Sequence, residues 1–142
     1  MILIDVNLLL YAYNPSAPQH AKARAWLEAV LSGTESVGLP WMTVLGFLRI
    51  GTNPRAFPSP LTISEAVEIV NAWLGQPSVQ IVEPTDRHWT LLAELLPRSQ
   101  AKGPLVSDAH LATLAIEHGA LLCSSDGDFS RFGGLRWQNP IA

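Results

Sequence analysis

The amino-acid sequence predicts an α/β domain with a mainly parallel sheet. Two observations carry this reading. Four short apolar runs, Met1–Ile4, Val37–Leu39, Val79–Val82 and Ala120–Cys123, alternate with stretches of helical period, and strands interleaved with helices in this way build parallel sheets. The chain has 142 residues, enough for one sizeable core and little more. No internal repeat, long linker or long polar tract divides it.

Taken in order, Met1–Ile4 reads as a buried strand and Asn7–Tyr13 as a short helix behind it. His20–Leu31 (HAKARAWLEAVL) mixes small, charged and apolar residues with helical period, and Gly33 closes it. After the strand Val37–Leu39, Trp41–Ile50 (WMTVLGFLRI) reads as a largely buried helix, ended by Gly51 and the Pro-rich loop Asn53–Pro60. Thr62 and Glu65 have the spacing of a capping box and start a helix that runs through Leu74. Pro77 and Pro84 bound the strand Val79–Val82. Asp86–Leu96 is helical, with Leu91, Leu92, Leu95 and Leu96 on one side. Ser107–His118 is a helix with Ser107 as N-cap and Gly119 at the C′ position. Ala120–Cys123 is the last strand, and the turn-rich SSDGDF follows it.

Composition narrows the function. Only 15% of residues are charged, against about 25% in an average soluble domain. Yet no apolar run approaches the roughly 20 residues of a spanning helix. The N-terminal MILIDVNLLLYAYN has no basic flank and carries Asp5 inside its apolar stretch, which argues against a cleaved signal peptide. Cys123 is the only cysteine, so no disulfide forms within the chain, in keeping with a reducing, cytoplasmic location. Nine Lys and Arg against twelve Asp and Glu give a net charge of −3; a protein that binds nucleic acid by bulk attraction is usually basic, so this one does something else or binds in a local patch. Seven of the nine basic residues are Arg, suited to bidentate contacts with phosphate or carboxylate.

The acids are placed suggestively. In open parallel sheets, sites form outside the carboxyl ends of the strands. Asp5 ends the first strand, Asp126 lies just past the last, Asp128 is two residues on, and Asp108 stands in the first turn of a helix rich in Ala and Leu. Each has an ordinary reading: Asp5 in an Asx turn, Asp108 on the helix dipole, Asp126 and Asp128 as turn residues. Together they point further. Three or four converging carboxylates repel, and one stays protonated unless a divalent cation sits among them. Hard oxygen ligands select Mg²⁺ or Mn²⁺, and phosphodiester hydrolysis is the chemistry such a cation supports.

These residues carry a family resemblance. MILIDVNLLLYAYN resembles the opening of a PIN domain, and LVSDAHLATLAIEHGALLCSSDGDF its C-terminal half. PWMTVLGFLRIGTNPRAF, the DAHLA run and FGGLRWQNP are similar to a mycobacterial-type subgroup of VapC toxins from type II toxin–antitoxin modules. The resemblance covers essentially residues 1–142. It implies one PIN-like domain, a central mainly parallel sheet flanked by helices, and a metal-dependent endoribonuclease neutralised by a VapB-type antitoxin. It also implies Mg²⁺ or Mn²⁺ as cofactor, RNA as substrate and a homodimer. By motif position Asp5, Asp108 and Asp126 are the metal-site acids, Asp128 an auxiliary acid, and Asn7 and Ser107 groups that orient carboxylates or water. Most PIN domains place a Glu on the helix after the second strand. Here that position reads as Phe47, and the nearest acids, Glu35 and Glu65, belong to other elements. Arg49 is a candidate contact for phosphate or antitoxin, or a plain surface residue.

Other residues read as structural. His20, His88, His110 and His118 have no metal-ligand spacing. Trp26, Trp73 and Trp89 fall at apolar helical positions and read as core or interface, and Trp41 and Trp137 read as core packing, with groove lining as the alternative. Cys123 reads as a small buried hydrophobe. One rival is a PIN-fold interaction module with a degenerate site, which the Phe47 departure favours. Another is a phosphatase with Asp5 as nucleophile, which Asn7 disfavours by standing where a second acid would be needed. The scarcity of charge outside the acids predicts apolar surface that a partner covers.

Overall fold

The computed structural model describes all residues, Met1–Ala142. The elements are β1 (Ile2–Ile4), α1 (Val6–Tyr13), α2 (His20–Leu31), β2 (Val37–Pro40), α3 (Trp41–Gly51), α4 (Ile63–Leu74), β3 (Val79–Val82), α5 (His88–Arg98), α6 (Leu105–Glu117), β4 (Leu121–Cys123), a 3-10 helix (Gly127–Arg131) and β5 (Arg136–Gln138). The sheet runs β3-β2-β1-β4-β5, and every pairing is parallel. The α/β class with a parallel sheet is therefore as expected.

Successive residues of a strand face opposite sides, and β1 shows the consequence. Ile2 and Ile4 join a core with Leu8, Leu27, Phe47 and Trp73 from α1 to α4. Leu3 joins a second core with Leu95, Leu111 and Leu114 from α5 and α6. Helices thus cover both faces of the sheet. The capping box of α4 forms as predicted, with the Glu65 amide donating to Thr62 Oγ1 at 3.1 Å and the Thr62 amide donating to Glu65 Oε1 at 3.0 Å. Gly119 takes the left-handed φ of +62° that ends α6. No helix is long and apolar enough to cross a membrane.

Four expectations are corrected. Ser107 is not the N-cap of α6. Pro104, already at φ −59° and ψ −25°, opens the helix earlier, where its missing N–H costs nothing. α5 starts after Asp86, at His88, and continues through Pro97 to Arg98. β5 is absent from the predicted strands because RWQ has no apolar run; it forms by pairing with β4, Leu122 opposite Trp137. Trp41 and Trp89 are 48% and 70% exposed. Both stand in the first turns of their helices, beyond the packed layers, whereas Trp73 is buried.

Candidate active site at the carboxyl edge of the sheet

β1 and β4 are neighbours in register, Ile4 opposite Cys123, so the residues that follow them emerge side by side. Asp5 caps α1: its Oδ1 accepts from the Val6 amide at 2.8 Å. Its Oδ2 accepts from Ser124 Oγ at 2.7 Å. Ser124 is fully buried, and its hydroxyl also accepts from the Asp126 amide at 3.0 Å and from Asn7 Nδ2 at 3.3 Å. One hydroxyl thus ties together Asp5, Asn7 and the segment bearing Asp126. Sequence reasoning missed Ser124; the available signal was a serine directly after a strand and two residues before an acid. Asp126 caps the 3-10 helix, its Oδ1 accepting from the Asp128 amide at 2.9 Å. The turn reading of Asp126 therefore holds, its side chain accepting from the amide two residues on, whereas Asp5 forms no Asx turn and instead caps a helix through the very next amide; both bonds orient the carboxylates.

Asp108, from the first turn of α6, completes the arrangement. One carboxylate oxygen from each of Asp108, Asp126 and Asp128 lies within 4.8 Å of the others. Asp5 stands beside this group rather than in it, with both oxygens engaged. None of the four forms a salt bridge. Burial raises the pKa of Asp108 to about 6, helped by the charges of Asp126, Asp5 and Asp128 and opposed by Arg131. Burial also raises Asp5, against the hydrogen bonds from Ser124 and Val6, with Asp126 adding to the rise. Asn7 Oδ1 is buried without a partner. An all-oxygen donor set, uncompensated negative charge and an orphaned acceptor beside it fit a hard divalent cation.

Phe47 turns into the core rather than toward solvent. It is fully buried and packs its ring against Trp73 and Tyr13, with centroids 4.6 Å and 5.5 Å apart. The α3 face that meets α1 presents Gly46, where a Cβ would come within 3.3 Å of Val6 Cγ2. α3 contributes no acid at all. Gly46, Arg49, Val6 and Ser107 line an apolar groove of about 780 Å³ together with Met42, Leu45 and Ile63. Arg49 and Ser107 are exposed there, and Ser107 makes no hydrogen bond to the carboxylates.

A second polar cluster, unforeseen as a unit, lies between α5 and α6. Glu117 accepts from His88 Nδ1 and from the Thr85 amide, and His88 Nε2 lies 2.8 Å from His110 Nδ1. Burial lowers the pKa of His110, and so does His88. Burial pushes the Cys123 thiol up to about 11, which suits its structural reading.

The layered parallel fold and its carboxylate edge define a class. Residues 2–135 match the PIN domain, and the chain belongs to the PIN-domain family, in its VapC branch. It is 44% identical over 142 residues to Ribonuclease VapC37 of Mycobacterium tuberculosis, aligning 100% of this chain and 99% of that protein. It is 39% identical over 141 residues to Ribonuclease VapC33 of the same species, covering 99% of each. Among solved structures, VapBC2 from Rickettsia felis bound to a promoter DNA fragment matches with a TM-score of 0.70 at 17% identity, covering 98% of both chains. Mycobacterium tuberculosis VapC20, a sarcin-ricin loop cleaving toxin, matches at 0.68 with 19% identity, covering 96% of this chain and 99% of that one. At these identities the solved structures show a shared fold.

Proposed function

We propose that the protein is a divalent-metal-dependent endoribonuclease and the toxin of a toxin–antitoxin pair. The observation that carries this reading is the group Asp108, Asp126 and Asp128, within 4.8 Å and without a counter-ion. The ribonuclease relatives support it across the whole chain. Asp108, Asp126 and Asp128 would hold Mg²⁺ or Mn²⁺, with Asp5 as the fourth acid. A cation bound there lowers the pKa of water and offsets charge on the scissile phosphate. The chain's own part is positioning. Ser124 fixes Asp5 and the Asp126 segment, and Asn7 keeps a carbonyl free to receive a water. Ser107 stands on the α6 turn that carries Asp108. The degenerate-module alternative loses its main support, because the carboxylate group forms without an acid from α3.

The groove beside Arg49 fits an apolar segment of a VapB-type antitoxin. Trp41, Leu45, Ile63 and Val67 are 45–60% exposed there or nearby, and apolar side chains grouped about a groove mark a surface that a partner can cover. The structural neighbours include a toxin–antitoxin complex. A homodimer and a cytoplasmic location go with this reading. The test is cleavage of single-stranded RNA by the purified protein. Activity should vanish with EDTA, return with Mg²⁺ or Mn²⁺, and be abolished by Asp5→Asn in a folded protein. Equal cleavage by Asp5→Asn, or indifference to EDTA, overturns the assignment.

A further inference from the structure

We propose that Arg98, Lys102 and Arg131 form a phosphate track that seats the RNA backbone beside the carboxylate site. The inference rests on the RNA-cleavage reading above and names the residues that hold the substrate.

A net charge of −3 means that any attraction for a polyanion must be local. Of the nine Lys and Arg residues, only Arg24 is in a salt bridge, with Glu28. Two of the others, Arg98 and Arg131, lie on segments that touch, and Lys102 follows one of these segments by three residues. Arg98 is the last residue of α5, Lys102 lies in the connection to α6, and Arg131 ends the 3-10 helix that carries Asp128. All three are exposed.

Two contacts join their segments reciprocally. Arg98 Nη2 donates to the Gly133 carbonyl at 3.3 Å, and Arg131 Nη1 donates to the Ser99 carbonyl at 3.4 Å. Each arginine therefore reaches across to the other's segment. A carbonyl anchor orients a guanidinium without neutralising it, and a guanidinium has five N–H donors. Each contact occupies one of these and leaves the rest of the planar fork for a phosphate. Their place also matters. Arg131 is the one cation that acts on Asp108, and Lys102 precedes α6, whose first turn bears Asp108.

Phosphates next to the scissile one must run past this rim, where the carboxylates alone would repel them. Arg136 and Arg49 do not qualify. Arg136 Nη2 donates to the Gly119 carbonyl at 2.7 Å, at the amino end of the sheet. Arg49 belongs to the apolar groove of α3 and α4. The two surfaces around the site thus differ in chemistry: an apolar one suited to a protein segment, and a basic one suited to nucleic acid.

The test uses the full chain with Arg98→Gln and Arg131→Gln combined. A short fluorescein-labelled single-stranded RNA is the probe. Binding is read in an Asp126→Asn background, so that the probe stays intact, and cleavage in the otherwise native protein. The double variant should raise KM about tenfold with kcat changed less than about twofold. It should flatten the slope of log K against log salt by about 1.4, two phosphate contacts at about 0.7 each. The Arg98→Lys, Arg131→Lys pair should restore most of the slope. An unchanged slope and KM overturns the track, as does a lower melting temperature and kcat with the slope intact, which would make the arginines only a structural clasp. Loss of antitoxin binding with RNA binding unaffected overturns it too. If the native protein cleaves no RNA, the cleavage reading fails by itself, and the salt slope still decides the track.

Discussion

Helix α6 carries titratable clusters at two places, and they are built on opposite principles. Near its start, Asp108 faces Asp126 and Asp128 with no basic partner in contact, and its pKa rises to about 6. At its end, Glu117 has a side chain with no exposed surface, yet its pKa falls. Burial raises it, but hydrogen bonds from Thr85 and His88 outweigh that cost. Removing an ion from water is tolerated when the protein supplies its partners. At Glu117 the chain supplies them all. At Asp108 it supplies more negative charge instead, and such an arrangement makes sense where a ligand completes it. One cluster holds the α5–α6 pair together, and the other leaves its negative charge uncompensated.

Two substitutions separate these roles most sharply. Asp126→Asn should cut RNA cleavage on the order of 10³-fold, the effect of removing one well-placed electrostatic group. Its melting temperature should hold or rise, because the Asn oxygen still caps the Asp128 amide while a repulsive charge is gone. Glu117→Gln should show the reverse. A Gln still accepts from the Thr85 amide but removes the carboxylate charge that strengthens the hydrogen bonds from both Thr85 and His88, a loss of about 1–2 kcal/mol. Cleavage per folded molecule, measured well below the melting temperature, should be unchanged. Thermal melts and initial rates on both proteins check the pair. A matching pattern in the two would erase the distinction.

The contrast was only half visible in the sequence. Asp5 and Asp126 follow apolar strands, so a parallel sheet alone brings them to one edge, and the acids were legible for that reason. Ser124, which holds them together, was not: its role depends on a strand pairing between residues more than a hundred positions apart. The His88–His110–Glu117 cluster was hidden likewise, because no local spacing announces a contact between two antiparallel helices. Phe47 shows the limit of aligning by motif. One step along a helix turns a side chain by about 100°, enough to bury Phe47 in the core and leave Gly46 on the face that meets α1. Ser107 fits N-cap chemistry, but Pro104 pre-empts it. β5 needed its neighbour to become a strand.

A cation should act on one cluster only. Mn²⁺ at about 100 times its Kd stabilises the folded state by about 2.7 kcal/mol, a rise of several degrees in melting temperature. The shift should shrink below pH about 6, where protons compete for Asp108. Asp126→Asn should lose most of it, and Glu117→Gln should keep it. Calorimetric scans at pH 7.5 and pH 5.5, with and without the metal, give the four values needed. A full shift in Asp126→Asn would move the ion elsewhere.

The smallest expected effect tests the sign of the contrast directly. Asp108 binds its proton more tightly in the folded chain, at about pH 6, than an ordinary Asp at 3.8. The folded state therefore holds more protons than the unfolded one between these values, and stability falls as pH rises through the window. Above it, the ionised Asp108 carries a cost that solvent screening keeps small, since the side chain is only half-buried. Asp108→Asn never ionises and escapes that cost. In EDTA at pH 7.5 the variant should melt slightly above the native protein, and the difference should fade toward pH 4. In saturating Mn²⁺ the order should invert, because only the native carboxylate gains from the ion. A variant that melts lower in EDTA at pH 7.5 would mean that Asp108 is held by attraction, as Glu117 is, and that both ends of α6 are structural.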